Sequence, residues 1–252
     1  MNDPRHPFSY HFRELKRRII RIVLFFVVTT ATAFVFHRHI LRWLLEPAED
    51  LNRFTDGQAI FTDLTEFWGT VAKVSILVGI AATTPFMLFQ IVRFVSPGLK
   101  PNERRWLWIL MPASIVSFGL GVAFGYYVLL PPAINFLLNF GGDIATPLIR
   151  ISSYVGLVTR LLFWLGLIFE LPIVIFFLAK IGVVTPRWLA SKRKWVVVLA
   201  FVAGAMITPT FDPLNQSLVA GPIIVMYEIG YWLARMGSRR ASRSEIESEV
   251  GS

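Results

Sequence analysis

The chain has 252 residues, 55% of them apolar and 16% charged, with a mean hydropathy of +0.59. Soluble domains carry about 25% charged residues, so this composition does not cover a water-exposed globule and reads as an integral membrane protein. The net charge of +9 lies in short clusters between apolar runs rather than on one basic face, which excludes a nucleic-acid surface. Zero cysteines exclude disulfides, thiolate chemistry and Cys-ligated metal centres.

Residues 1–18 read as an amphipathic N-terminal segment, leading into a first apolar run at Ile19–Phe36. That run has 18 residues, about 27 Å at the helical rise. No small-residue cleavage site follows it, so it reads as an uncleaved anchor. Segment 37–69 carries six acids and the stretch Leu41-Arg42-Trp43-Leu44-Leu45-Glu46-Pro47, which predicts a short helix lying at the interface. Val71–Val92, Trp106–Leu130 and Tyr154–Ala179 are long enough to span. Segment 131–150 opens with Pro131-Pro132, a helix-start signal, and holds a Gly141-Gly142 turn. Trp195–Thr208 is only 14 residues, about 21 Å against a core of roughly 30 Å. Ser217–Ala234 follows and contains Glu228. Residues 19–236 thus form the membrane domain, and the Ser- and Glu-rich residues 237–252 read as a disordered tail.

Charge decides whether the short fifth run crosses. Alternate segments hold nineteen Lys and Arg on one side and four on the other, a split that only six crossings preserve. The reading is therefore six spans with both termini in the cytoplasm. Pro85, Pro112, Pro172 and Pro222 lie inside the runs and predict kinked helices. Gly121 and Gly125 form a G-x-x-x-G pair, the signature of close helix packing within the chain or between protomers.

No phosphate-loop, H-E-x-x-H or G-x-S-x-G motif occurs, so neither nucleotide hydrolysis, covalent catalysis nor a cofactor is called for. The acids are more informative. Glu170 falls near the middle of an apolar run beside Pro172, where a charged carboxylate costs several kcal/mol. Arg160 is about 15 Å away along one helix, too far to pair. Two readings stand: a neutral side chain hydrogen-bonded to a neighbouring helix, or a functional group facing the concave, wet side of the bundle. Glu228 sits nearer an interface and reads as structural. Glu14 and Glu103 both fall in cytoplasmic basic clusters. Each either compensates charge at a helix end or binds a ligand.

The same residues carry a resemblance. His11-Phe12-Arg13-Glu14-Leu15-Lys16-Arg17-Arg18 resembles the pattern H-L-x-E-L-[RK]-x-R, with Phe12 in place of the usual Leu. Phe94, Pro97, Gly98, Leu99, Glu103 and Arg104 match F-x-x-P-G-L-x-x-x-E-R. Phe169-Glu170-Leu171-Pro172 matches F-E-x-P. Thr208-Pro209, Asp212 and Gln216 match T-P-x-x-D-x-x-x-Q, with Pro222 and Tyr227-Glu228 following in order. The chain resembles the TatC family, the multispanning core of the twin-arginine protein translocase, over residues 8–236.

The resemblance implies an all-α, cup-shaped bundle of six kinked transmembrane helices with short fifth and sixth members, in the cytoplasmic (inner) membrane. It implies a receptor for signal peptides bearing two consecutive arginines, driven by the proton-motive force and without enzymatic activity. The family's signal-binding acids fall on Glu14 and Glu103, within a site that takes in Arg17, Phe94, Leu99, Arg104 and Arg105. A guanidinium offers a planar fork that a carboxylate accepts and Lys does not copy, while the surrounding cations repel ligands that satisfy only one acid. The intramembrane polar site falls on Glu170 and Pro172, and the periplasmic motif on Pro47, Asp212 and Gln216. Expected partners are TatA-like and TatB-like single-span proteins, membrane lipids and further copies of the chain. The alternative is a proton-coupled transporter of a small solute, which predicts an internal repeat that the sequence lacks.

Overall fold

The computed structural model describes residues 8–49, 63, 65–95, 106–139, 150–208 and 213–250. Almost all of them are helical. Helix α1 (Phe8–Val35) contains no Gly or Pro, so the amphipathic segment and the first apolar run form one unbroken rod across the boundary drawn at residue 18. Helix α2 (His37–Glu49) is the short helix expected around 41–47. It buries Leu41 and Leu44 and exposes Arg42, Trp43 and Glu46.

Helix α3 (Glu66–Val95) begins just after Asp63, whose carboxylate accepts the N–H and the hydroxyl of Thr65 at 2.8 and 3.0 Å. Those bonds hold the Asp63 carboxyl below its usual range. Helix α4 (Trp106–Phe124), a π-helical segment (Gly125–Leu129) and helix α5 (Leu130–Asn139) run on from one another. The helix thus passes through Pro131-Pro132, where the sequence predicts a fresh start. Two adjacent prolines remove two donors, and the ladder widens just before them, with the Leu130 N–H bonded to the Gly125 carbonyl.

Helix α6 (Ile151–Phe169) and helix α7 (Leu171–Lys180) are separated at Glu170, two residues before Pro172, whose nitrogen carries no proton to donate. Pro85, Pro112 and Pro222 instead lie inside continuous helices. Helix α8 (Pro186–Ile207) is capped by the Thr185 hydroxyl, which accepts the Trp188 N–H at 3.2 Å. Helix α9 (Pro213–Val250) continues well past residue 236, where the sequence reading begins a disordered tail. No Gly or Pro lies between 238 and 250 to stop it.

Among the described residues, five stretches are long and apolar enough to cross a membrane: Phe12–Val35, Glu66–Phe94, Trp108–Leu137, Ile151–Lys180 and Asn215–Gly237. The last has 23 residues, so the sixth predicted span is of full length rather than short. Helix α8 is not among the five because Ser191-Lys192-Arg193-Lys194 occupies its first half. Its crossing rests on charge alternation alone.

Helix α1 packs on α3, which packs on α4 and α6; α4 also packs on α6, and α9 packs on α7 and α8. The outer face of α1, including Ile20, Leu24 and Val28, is exposed and suited to lipid. Gly121 and Gly125 seat α4 on α6 inside this one chain. A Cβ at Gly121 would stand 2.5 Å from the Leu165 carbonyl oxygen, and one at Gly125 2.7 Å from the Leu165 side chain. Gly79 brings α3 equally close to α1, where a Cβ would meet Thr30 at 2.1 Å.

Candidate functional site

Two polar sites and one rim follow from this packing. The first lies where the start of α1 meets the end of α3. Glu14 and Arg18 are one helical turn apart and form an ion pair through Glu14 Oε1 and Arg18 Nη2. Arg18 also donates Nη1 to the Gln90 carbonyl at 3.2 Å and lies 5.8 Å from the centre of the Phe94 ring. A cation there also suits the negative end of the α3 dipole. Phe94 is half-buried and stands at the start of the segment carrying Leu99 and Glu103. Arg17 points outward and is exposed. Leu99, Glu103, Arg104 and Arg105 lie outside the described residues. Arg18, the closing Arg of the first motif, is thus the cation that turns inward, while Arg17 stays on the outer surface.

The second site surrounds Glu170, which is 2% exposed at the break between α6 and α7. Its Oε1 accepts the Ser114 hydroxyl at 2.6 Å, and its Oε2 has no hydrogen-bond partner among the described residues. One turn further along α4, the Ser117 hydroxyl donates to the Phe169 carbonyl at 2.5 Å. Glu170 thus faces α4 and is enclosed by the chain, where the functional reading from sequence places it on an open, wet face. The cause is the break itself, which turns the carboxylate and the Phe169 carbonyl toward two serines on α4. Pro172 is buried behind it, its Cα 3.2 Å from where a Cβ on Gly230 would stand. Glu228 joins α9 to α8. It pairs with Arg193 at 2.7 Å, whose guanidinium covers the Tyr231 ring at 4.4 Å.

The rim joins α2 to the π segment. Trp43 and Tyr126 stack at 4.3 Å and 7°, and the Tyr126 hydroxyl lies 2.8 Å from the Trp43 carbonyl and 3.1 Å from Glu46 Oε2. Pro47 follows in the same helix, half-buried. At the other edge the Gln216 amide donates to the Phe201 carbonyl, joining α9 to α8 where Gly204 permits close approach. Asp212 lies outside the described residues. The sequence reading singles out none of Tyr126, Ser114, Ser117 and Gln90.

Apolar helices of spanning length, with polar groups drawn inward, define a multispanning α-helical membrane protein. The family model described as Sec-independent protein translocase protein (TatC) matches residues 10–222. The Sec-independent protein translocase protein TatC of Aquifex aeolicus is 37% identical over 96% of this chain and 99% of its own. That of Carboxydothermus hydrogenoformans is 34% identical over 93% and 95%. A crystal structure described as the twin-arginine translocase receptor TatC superposes with a TM-score of 0.79, at 36% identity over 90% of this chain and 99% of that one. The chain belongs to the TatC family. It is accordingly a membrane-embedded component of the twin-arginine system, which works with other Tat subunits.

Proposed function

We propose that this chain is the signal-receiving core of its translocase. It binds the arginine pair of a folded precursor's signal peptide through Glu14 and Glu103 and hands the cargo on without catalysing a reaction of its own. One observation carries the reading: Glu14 is held through Arg18 against the end of α3, beside Phe94, at the point where the chain leads to Glu103. In this reading the signal contacts Phe94 and Leu99, with Arg17, Arg104 and Arg105 excluding ligands that lack two guanidinium groups. Single-span TatA-like and TatB-like partners dock on the apolar outer face of α8, where Val198, Leu199, Val202 and Met206 are exposed, and copies of the chain assemble in the inner membrane. Pro47, Asp212 and Gln216 shape the periplasmic rim, and transport draws on the proton-motive force. A precursor peptide with a photoreactive group beside Arg-Arg is expected to crosslink to the purified chain, and its Lys-Lys counterpart is not. Equal crosslinking of the two removes the proposal.

The topology in this proposal has six crossings and cytoplasmic termini. The sequence contains no cysteine, so single-cysteine variants Asp212→Cys and Ser238→Cys can be labelled in intact cells with an impermeant thiol reagent. Asp212→Cys is expected to label from outside and Ser238→Cys only after permeabilisation. Labelling of both from one side excludes a spanning α9 between them.

A further inference from the structure

Among the described Lys and Arg residues, Arg18 alone is buried, at 8% exposure. Burying a guanidinium is unfavourable unless it is paired and hydrogen-bonded. Arg18 nevertheless turns inward to the Gln90 carbonyl and the Phe94 ring. Its hold on Glu14 is single rather than forked: Nη2 meets Oε1, and Nε has no hydrogen-bond partner among the described residues. Glu14 keeps a side chain 26% exposed, and its only hydrogen bond among the described residues is the one to Arg18. Its second oxygen is left to accept from outside.

We propose that Arg18 is the specificity-determining positioning residue of the signal site, fixing Glu14 through one carboxylate oxygen so that the other accepts a single incoming guanidinium. This rests on the reading of Glu14 as a signal-binding acid. An isolated carboxylate attracts any cation, and a lysine ammonium, being a compact point charge, gains almost as much from it as an arginine does. With Arg18 in place the pair is neutral overall, so a ligand gains little from charge alone. What remains is one fixed acceptor oxygen, which rewards a planar guanidinium whose N–H directions are already set over an ammonium that must order its rotatable donors. Arg18 also ties Glu14 to α3, so the spacing between this acceptor and the end of α3 is set before the ligand arrives. The resident arginine makes the site choosy by repulsion as well as by fit.

Binding of two peptides differing only in Arg-Arg or Lys-Lys, measured on the full-length chain in lipid nanodiscs, tests this. Arg18→Gln leaves Glu14 uncompensated and is expected to lower the preference for Arg-Arg about tenfold, the size of one charge-assisted hydrogen bond, with tighter binding of Lys-Lys. Arg18→Lys restores the charge without the fork, and is expected to keep Lys-Lys binding weak while still losing Arg-Arg affinity. A purely structural arginine would lower thermal stability and leave the preference unchanged, and that result in both variants overturns the proposal. If neither variant folds, the unmodified chain carries the test through ionic strength: a fixed acceptor in a neutral pair predicts that the preference for Arg-Arg over Lys-Lys survives high salt, and a preference that vanishes with salt overturns the proposal. Glu14→Gln separates this inference from the one beneath it. If Glu14→Gln leaves Arg-Arg affinity intact, the signal site itself is wrong; if it abolishes binding while the Arg18 variants discriminate normally, only the role of Arg18 is.

Discussion

Glu14→Gln and Glu103→Gln are each expected to weaken binding of an Arg-Arg signal peptide by about 1.5–3 kcal/mol, the range for a hydrogen bond to a charged group. That corresponds to roughly ten- to 150-fold in Kd. Gln is the informative replacement for Glu14, because its amide oxygen can still accept from Arg18 and keep the α1–α3 contact, whereas Ala would remove that acceptor as well as the charge. The double variant is expected to lose less than the sum of the two, since both acids hold one ligand. Titration calorimetry of the three variants, with thermal unfolding as a control, measures both quantities. A double variant that binds the peptide as tightly as the unmodified chain would falsify the two-carboxylate site.

The second large effect is expected at Glu170. Glu170→Ala removes the acceptor of the Ser114 hydroxyl and empties a 2%-exposed position at the α6–α7 break. We expect the variant to insert and to bind Arg-Arg peptide normally, while transport of folded cargo into membrane vesicles collapses. The reason is the second oxygen. Oε2 is buried without a hydrogen-bond partner among the described residues, and a buried polar atom left so costs about 1–3 kcal/mol. A water molecule admitted at the α6–α7 break, or a donor brought in by a shift of that break, would recover that energy when the complex assembles. Glu170→Gln keeps an acceptor and is expected to retain more transport than Ala if hydrogen bonding is what matters, and no more if ionisation is. Loss of peptide binding together with a large fall in thermal stability would instead mark Glu170 as a packing residue.

The spans were legible because twenty-residue apolar runs have few other uses, and α2 because Leu41 and Leu44 share one face between charged neighbours. The path through Pro131-Pro132 was not legible. Proline normally announces a helix start, and the π turn that lets the helix pass depends on a backbone bond with no sequence signature. Glu170 shows a different limit. Distance along one helix correctly excluded Arg160, but its actual partner, Ser114, lies 56 residues away on another helix. Cross-helix partners of small polar residues leave no local pattern. Glu14 and Arg18 were each visible in the basic cluster, yet which of three neighbouring cations turned inward depended on the position of α3. The family motifs located the acids; the packing supplied what holds them.

The unbroken course of α1 has a mechanical consequence. Helix α3 is its principal neighbour, and their close approach at Gly79 against Thr30 lies near the far end of the rod from Glu14. Sixteen residues separate Glu14 from Thr30, a lever arm of about 24 Å at 1.5 Å per residue. A tilt of about 5° around that fulcrum sweeps Glu14 through about 2 Å, comparable to the difference between a made and a broken hydrogen bond. If Glu14 grips the signal peptide as proposed, that grip and the angle of the first membrane helix are one mechanical variable: a pull on the bound peptide becomes a torque on α1, delivered at the opposite leaflet.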